Sequence, residues 1–468
     1  MPSFSIENFG CRATEADASA LRRELLANGF TLADAHNAAD IVVLNTCTVT
    51  AAADSQAREA VRKIHRANPA ARIVVTGCYA QRAPEELAGL DGVSWVVGNS
   101  HQTQIPALIR GLYAPAGADF VPLARLDGDA MSLARGPAKI LTGDIFAQTA
   151  VQIAAFFSPA LALDDRTRPI LKIQDGCNNR CSYCVIPFVR GRSRSLAPDV
   201  VVERARGLVA AGAKEIVFSG INLGSYGRDL APRAGLADGV RRILDETALE
   251  RLRFSSIEPQ DITEDFVALV ASSDRVAPHF HVPLQSGSDR ILRAMHRWYR
   301  AEHYAERVRL IRRLLPDAAI GADVIVGFPG ETGEDFEITC RFIEQLPFTY
   351  LHVFSFSARP GTEAAKLGAA AVPPQVIRER ARALRALAEG KSAAFRASQA
   401  GRTLRALTLA RTGDDWTETL TGNYLKVRVP GRHPANEWRV VRMTSESQQH
   451  ADVVIPNEVR NLSSVSAR

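Results

Sequence analysis

The chain lacks a basic N-terminal stretch leading into an apolar run. It opens "MPSFSIENFGCRATEAD", so no secretory leader is expected. Cysteine is sparse and odd in number, seven in 468 residues, which does not fit the disulfide framework of a secreted domain. Long apolar runs are also scarce. The one candidate, "IFAQTAVQIAAFFSPALAL" at 145–163, is rich in alanine and broken by Gln148, Gln152, Ser158 and Pro159. It reads as a connector, part hairpin and part helix, rather than a membrane span. Charge bias is weak. A formal +6 permits a polyanionic partner without requiring one. A cytoplasmic protein with no membrane partner is expected.

What is present is core-forming sequence, 46% hydrophobic, in a length that allows several domains. The first part alternates strand and helix signals: "FSIENFGC", then "EADASALRRELLANGF", then "DIVVLNTCTVT". A further helix, the strand "RIVVTGCY", another helix and "VSWVVGN" follow. This predicts a parallel α/β domain over 1–113. Gly, Pro and Asp punctuate 114–168, which reads as a connector. From 169 the alternation resumes with "PILKIQ", "EIVFSG", "RLRFSSIE", "HFHVPL", "AIGADVIVGF" and "TYLHVFSF". Six βα units in one run predict an open (βα)6 barrel over 169–394, with functional residues at the C-terminal strand ends. A β-rich piece at 395–445 reads as a small barrel, and 446–468 as a polar tail to which "DVVIP" adds at most one strand.

Three cysteines, Cys11, Cys47 and Cys78, fall at or just past strand ends in the first domain. Ligands of open parallel sheets gather at that edge, so a shared metal site is expected there over three separate core thiols. The other group is tighter. "QDGCNNRCSYCVIP" at 174–187 holds Cys177, Cys181 and Cys184, with no fourth cysteine or nearby histidine in the loop. Structural zinc takes four protein ligands; three thiolates suit a [4Fe–4S] cluster with one iron open.

The C-x3-C-x2-C pattern at the end of a first barrel strand, with Tyr183 before the third cysteine, resembles the radical S-adenosylmethionine (SAM) superfamily. The resemblance implies that SAM binds the open iron and is cleaved to a 5′-deoxyadenosyl radical. "FSGINLGSYG" at 218–227 resembles the superfamily's element near the amino end of SAM, which points to Gly220 and Asn222. "SSIEP" places Glu258 at the barrel mouth, and "HVPLQSGSDRIL" and "DVIVGFPGET" are loop signatures of one subgroup. Cofactor contacts are therefore expected from Cys177, Cys181, Cys184, Tyr183, Gly220, Asn222 and Glu258.

Residues 3–445 as a whole resemble the methylthiotransferase family: an N-terminal three-cysteine domain, a radical SAM barrel and a small β-barrel called TRAM. The resemblance implies two [4Fe–4S] clusters, one on Cys11, Cys47 and Cys78 and one on Cys177, Cys181 and Cys184. The implied reaction inserts sulfur into an unactivated C–H bond and methylates it. Cys340, in "DFEITCRFIEQL", is left as a packed inert thiol. Thr14 departs from an asparagine common in the family, and the connector is longer than usual.

Three family branches differ in substrate. Residues 400–444 hold eight basic and four acidic residues, and the preceding helix adds Arg378, Arg380, Arg382, Arg385, Lys391 and Arg396. A basic barrel suits a phosphate backbone. "TGNYLKVRV" and "SSIEPQDIT" resemble the branch acting on N(6)-threonylcarbamoyladenosine at position 37 of tRNA. Tyr424, Lys426 and Arg428 are the expected RNA contacts, and the "RGRSR" loop at 190–194 is another. The expected partners are the tRNA anticodon loop and an electron donor such as flavodoxin or ferredoxin. Rival readings are the isopentenyladenosine and ribosomal-protein aspartate branches and, from another class, a non-catalytic iron–sulfur RNA-binding redox sensor.

Overall fold

The computed structural model describes residues 2–35, 38–113, 131–133, 138–149, 151, 167–444 and 451–453. Seven strands form the first sheet: β1 (Ser3–Asn8), β2 (Thr31–Leu32), β3 (Ile41–Thr46), β4 (Arg72–Gly77), β5 (Val93–Gly98), β6 (Met131–Leu133) and β7 (Lys139–Leu141). Their order is β2-β1-β3-β4-β5-β7-β6, with every neighbour pair parallel except β6 with β7. β3 is buried along its whole length because side chains on both its faces enter cores: Val42 and Leu44 on one side, Ile41 and Val43 on the other. Such doubly covered strands read as continuous apolar runs.

The segment read as a connector is thus drawn into this sheet. β7 extends it in parallel beside β5 (Trp95 opposite Lys139), and β6 turns back against β7. The pairing covers an otherwise open edge of β5. Most of the alanine-rich run after 149 lies outside the described residues, as does most of the tail.

The barrel strands are β8 (Ile170–Lys172), β11 (Glu215–Ser219), β12 (Arg251–Phe254), β13 (His279–His281), β14 (Ala319–Val326) and β15 (Tyr350–Ser355). A two-residue ladder, β9 (Gln174–Asp175) with β10 (Arg194–Ser195), brackets the cysteine loop. β12-β11-β8 and β13-β14-β15 are parallel triplets. Bridges from Leu252 to Val276 and Ser256 to His281 join them into one open six-stranded wall. The six strands and their open closure match the expectation. Helices pack outside, so the strand ends are free to carry loops.

The C-terminal unit is a five-stranded antiparallel sheet of order β18-β17-β16-β19-β20: β16 (Thr403–Thr412), β17 (Trp416–Thr421), β18 (Lys426–Pro430), β19 (Trp438–Met443) and β20 (Ala451–Val453). β20 is the strand anticipated in the tail. A long helix, Pro374–Ser398, runs from the barrel to this sheet.

Candidate active site

Each cysteine of the first domain stands where a strand hands over to a helix. Cys11 is the residue before the helix Arg12–Ala27, and Cys78 opens the helix Cys78–Arg82. Cys47 follows β3 in a loop closed by Thr50, whose side chain accepts from Ala53 N at 3.2 Å to cap the next helix. Gly10, at φ +120°, lets the first loop lie on the second: a Cβ there would sit 2.5 Å from Cys47 Cβ and 2.9 Å from its Sγ. Thr14, the family departure, holds that turn. Its hydroxyl donates to Cys11 O at 2.8 Å.

Cys47 and Cys78 are buried and Cys11 is exposed. Burial, with Cys78 and Cys11 close by, pushes the Cys47 thiol up to about 12. Burial raises Cys78 as well, opposed by Arg190. Arg190 comes from the other domain. It ends the short helix Ile186–Arg190 behind the second cysteine loop, and its Nε donates to Cys78 Sγ at 3.3 Å. Asn99 Nδ2 approaches the same sulfur at 3.5 Å.

Arg190 anchors a buried charge network across the domain boundary. Its Nη2 pairs with Asp17 at 2.8 Å and its Nη1 with Asp175 at 3.2 Å. Lys172 completes the ring, 2.7 Å from Asp17 and 2.6 Å from Asp175. Two cations and two carboxylates are mutually satisfied, as burial requires. A second bridge joins Arg359, after β15, to Asp54 and to Thr48 Oγ1 at 2.9 Å, beside Cys47. The first domain is thus fastened over the barrel mouth.

The second trio opens on a cavity of about 600 Å³, lined by Cys177, Cys181 and Cys184 with Phe188, Arg192 and His296. Burial lifts the Cys177 thiol to about 11 and that of Cys184 to about 12. Arg297 donates from Nη1 to Cys181 Sγ at 3.3 Å, pairs with Glu258 through Nη2, and reaches Tyr299 OH from Nε at 3.2 Å. Glu258 is thereby tied to the cysteine loop as Arg297's counter-ion.

Gly220 packs on Gln174, whose Oε1 would lie 2.7 Å from a Cβ there and accepts from Asn222 N at 2.8 Å. Asn222 lies beside Cys177, with Nδ2 3.9 Å from its Sγ, and its buried Oδ1 has no partner among the described residues. Tyr183 and Cys184 line a second cavity, about 210 Å³, whose opposite wall is Val49 and Thr50 from the loop after Cys47. One cavity thus touches the loops of both trios.

The expected RNA contacts fare differently. Tyr424, in a left-handed turn (φ 66°), stacks on His279 of β13 at 4.1 Å, and its hydroxyl accepts from Arg12 at 3.1 Å. Its ring joins all three domains at the base of the barrel instead of facing out. Arg253, paired with Glu215 at 2.7 Å, holds the same turn through Gly422 O and Thr421 O. Lys426 is exposed and lies 3.3 Å from Glu418, while Arg428 covers Trp416 at 4.3 Å. In "RGRSR", Arg190 and Arg194 are buried and Arg192 faces the larger cavity. In the long helix, Arg380 is buried on Glu331 at 2.6 Å and Lys391 donates to two backbone carbonyls. Arg378, Arg382 and Arg385 remain exposed and line one hollow with Ser355.

Residue reasoning missed Arg190 as a structural ion, Arg297, and the group His281–Asp323–His352. The last two histidine and aspartate signals lay in view: His281 and Asp323 begin the two loop signatures quoted above.

An open six-stranded parallel barrel with a three-cysteine loop at its mouth is the architecture of a radical SAM enzyme. Residues 171–343 match the radical SAM superfamily, and residues 3–98 match the family described as uncharacterized protein family UPF0004. The Threonylcarbamoyladenosine tRNA methylthiotransferase MtaB of Aquifex aeolicus (strain VF5) is 35% identical over 427 residues, 91% of this chain and 96% of that protein. The protein of that name from Bacillus subtilis (strain 168) is 37% identical, covering 78% and 76%. The tRNA-2-methylthio-N(6)-dimethylallyladenosine synthase of Thermobifida fusca (strain YX) is 35% identical, covering 90% and 81%. The radical S-adenosylmethionine methyltransferase TsrM from Kitasatospora setae shares the fold, with a TM-score of 0.56 over 76% of this chain and 73% of that one, at 17% identity. The chain belongs to the radical SAM methylthiotransferase family.

The family's clusters and SAM fit the residues present. Each trio offers three soft sulfur donors, with no fourth cysteine beside them among the described residues. The unpartnered Asn222 Oδ1 beside Cys177 is an acceptor suited to an ammonium group. Among the described residues no helix is long and apolar enough to cross a membrane.

Proposed function

We propose that this chain converts N(6)-L-threonylcarbamoyladenosine at position 37 of tRNA to its 2-methylthio derivative. The observation that carries the reading is the single cavity walled by the loop after Cys47 and by Tyr183 and Cys184. Sulfur insertion needs sulfur delivery and hydrogen removal at one carbon, and this cavity is walled by Cys184 of one trio and by the loop that follows Cys47 of the other. The threonylcarbamoyl substrate follows the relatives from Aquifex aeolicus and Bacillus subtilis together with the local likeness of "TGNYLKVRV".

In this reading Cys177, Cys181 and Cys184 hold the radical cluster, and Cys11, Cys47 and Cys78 hold the sulfur-delivering one. When bound, the two [4Fe–4S] clusters and SAM supply the radical that removes hydrogen and the sulfur and methyl groups that replace it. The chain's own residues position and exclude. Asn222 Oδ1, buried and unpartnered among the described residues, would accept from the amino group of SAM. Arg297 fixes Cys181 and is itself held by Glu258. Arg190 and the Asp17–Lys172–Asp175 ring lock the first trio's loops to the second's, keeping water from the space between. Arg192 and His296, on the rim of the larger cavity, suit the docking of an acidic reductant such as flavodoxin or ferredoxin. The cytoplasm is the compartment where both tRNA and such reductants are met.

The test is mass spectrometry of tRNA nucleosides from cells with and without the gene. Selective loss of 2-methylthio-N(6)-threonylcarbamoyladenosine is expected. Loss of the isopentenyl counterpart instead would move the chain to the branch represented by the Thermobifida fusca relative.

A further inference from the structure

A hydrogen-bonded chain of four side chains runs along the inner face of β13, β14 and β15 to a fifth, His352. His279 Nε2 lies 2.8 Å from Tyr350 OH, and Tyr350 OH lies 3.0 Å from His281 Nδ1. His281 Nε2 is 2.9 Å from Asp323 Oδ1, and the same oxygen is 3.2 Å from His352 Nδ1. Space for the central tyrosine is made by Gly321, opposite it in register, where a Cβ would strike the ring at 2.0 Å.

The protons along this chain are fixed from the Asp323 end. Burial alone would raise its carboxyl, but hydrogen bonds from His281 and His352 hold it below the ordinary range, so it is ionised and accepts from both. His281 then carries its proton on Nε2 and presents Nδ1 as an acceptor. Burial keeps Tyr350 protonated, so its hydroxyl donates to His281 Nδ1 and accepts from His279 Nε2. Burial and Arg253 keep His279 neutral, consistent with its buried, unpartnered Nδ1. At the other end Asp323, an acceptor only, takes its hydrogen bond from His352 Nδ1 at 3.2 Å. The Nε2 of His352 makes no hydrogen bond among the described residues, and the side chain is 54% exposed. Tyr350, His352 and Phe354 share one face of β15, and Asp323 and Phe354 line the cavity between the two trios.

We propose that His352 is a specificity-determining residue. Its Nε2 accepts a hydrogen bond from an N–H or hydroxyl donor on the ureido arm of the target nucleoside, and Asp323 is the positioning residue that sets its tautomer. The inference rests on the threonylcarbamoyl reading above. His352 does not line that cavity itself but touches two residues that do, Asp323 at 3.2 Å and Phe354 edge-on, so the arm of a nucleoside seated there would extend toward it, and a threonylcarbamoyl arm carries several donors. An isopentenyl arm brings none beyond the N6–H and would cover the imidazole acceptor with hydrocarbon, which a polar site rejects. The three ligand atoms of His281, Asp323 and His352 lie within 4.8 Å of one another, a spacing that a divalent ion also accepts. The experiment therefore includes metal analysis.

The full chain, with both clusters reconstituted anaerobically, is assayed as wild type, His352→Leu, His352→Gln and Asp323→Asn. Substrates are one tRNA sequence carrying either threonylcarbamoyl or isopentenyl adenosine at position 37. His352→Leu is expected to lower kcat/KM for the threonylcarbamoyl tRNA by roughly 10- to 100-fold. That loss should exceed any loss in 5′-deoxyadenosine formation without tRNA and should narrow the preference over the isopentenyl tRNA. His352→Gln, which keeps an acceptor, should recover part of the activity, and Asp323→Asn should follow His352→Leu. The inference falls if His352→Leu matches wild type, if SAM cleavage without tRNA drops equally, or if the wild type holds a stoichiometric divalent metal that the variants lose. A wild type active only on isopentenyl tRNA would instead overturn the substrate reading itself.

Discussion

Arg190 donates its Nε to the Sγ of Cys78 across 3.3 Å, so the helix behind one cysteine trio reaches a sulfur of the other. The same guanidinium balances Asp17 and Asp175 with its side chain almost wholly buried. Replacing Arg190 by Met strips two buried carboxylates of a partner, and Lys172 alone remains to offset them. Such a loss costs about 3–5 kcal/mol. The Met variant is expected to unfold several degrees lower and to lose methylthiolation before it loses SAM cleavage. Thermal unfolding and a paired assay of both products check this; equal loss of both products would count against the bridge.

The two trios are expected to separate by function. Cys181→Ala should abolish 5′-deoxyadenosine formation, whereas Cys47→Ala should leave it while ending sulfur insertion. Arg297→Lys keeps charge against Glu258 but loses the fork that also holds Cys181. It should slow SAM cleavage with iron content intact. Iron analysis beside single-turnover SAM cleavage checks it, and loss of iron in that variant would recast Arg297 as a structural group.

The raised thiols set the pH behaviour of the metal-free chain. Cys47 and Cys184 sit at about 12 and Cys177 at about 11, against an ordinary 9.0. The folded state therefore binds these protons more tightly than the unfolded state. Their contribution to stability is whole below pH 9 and is lost between pH 9 and 12. The urea midpoint of the reduced, metal-free protein should fall across that window and shift little from pH 7 to 8.5. Iron uptake must displace the same protons, so anaerobic reconstitution in weak buffer should acidify the solution. A neutral trace would contradict the buried-thiol picture.

Gly321 is set by packing against a ring. A methyl there meets Tyr350 at 2.0–2.4 Å, and Tyr350 cannot withdraw without breaking its bonds to His279 and His281. Gly321→Ala should cost about 1–3 kcal/mol. Paired with Tyr350→Phe it should recover little, because the ring itself fills the space. Chemical unfolding of the two single variants and the double variant measures this. Near-complete recovery would show that the hydroxyl, not the ring, is what the glycine accommodates.

The strands were legible because their signal is local. Buried parallel strands are unbroken apolar runs, and Cys47 and Cys78 directly follow two of them. Tyr424 was misleading because a tyrosine in a β-rich basic segment looks the same whether its ring faces solvent or a neighbouring domain. Only docking of the C-terminal sheet on His279 decides between them. Arg190 was hidden in a basic loop for the same reason. Two of its three partners, Asp17 and Cys78, are more than a hundred residues away. His281 and Asp323 lay in quoted motifs, but their chemistry depends on strand register with β15, which no local pattern records.

That sorting of basic residues yields the last prediction. Of the arginines on the long helix, Arg380 is committed to Glu331, while Arg378, Arg382 and Arg385 stay exposed around one hollow beside Ser355. Ser355 lines both this hollow and the cavity between the cysteine loops, so under the proposed function phosphates flanking the target nucleotide would pass this ridge. Each neutralised phosphate steepens the fall of affinity with salt, by about 0.7 in log–log slope for a single strand. Replacing the three arginines by glutamine should weaken tRNA binding and reduce the slope by about 2, with no change in the preference between threonylcarbamoyl and isopentenyl tRNA. Arg380→Gln should instead lower thermal stability, because it leaves a buried carboxylate unpaired, and should leave the salt slope intact. Fluorescence anisotropy over a salt series distinguishes the two. An unchanged slope in the triple variant would place the phosphate track on the C-terminal sheet, at Lys426 and Arg428.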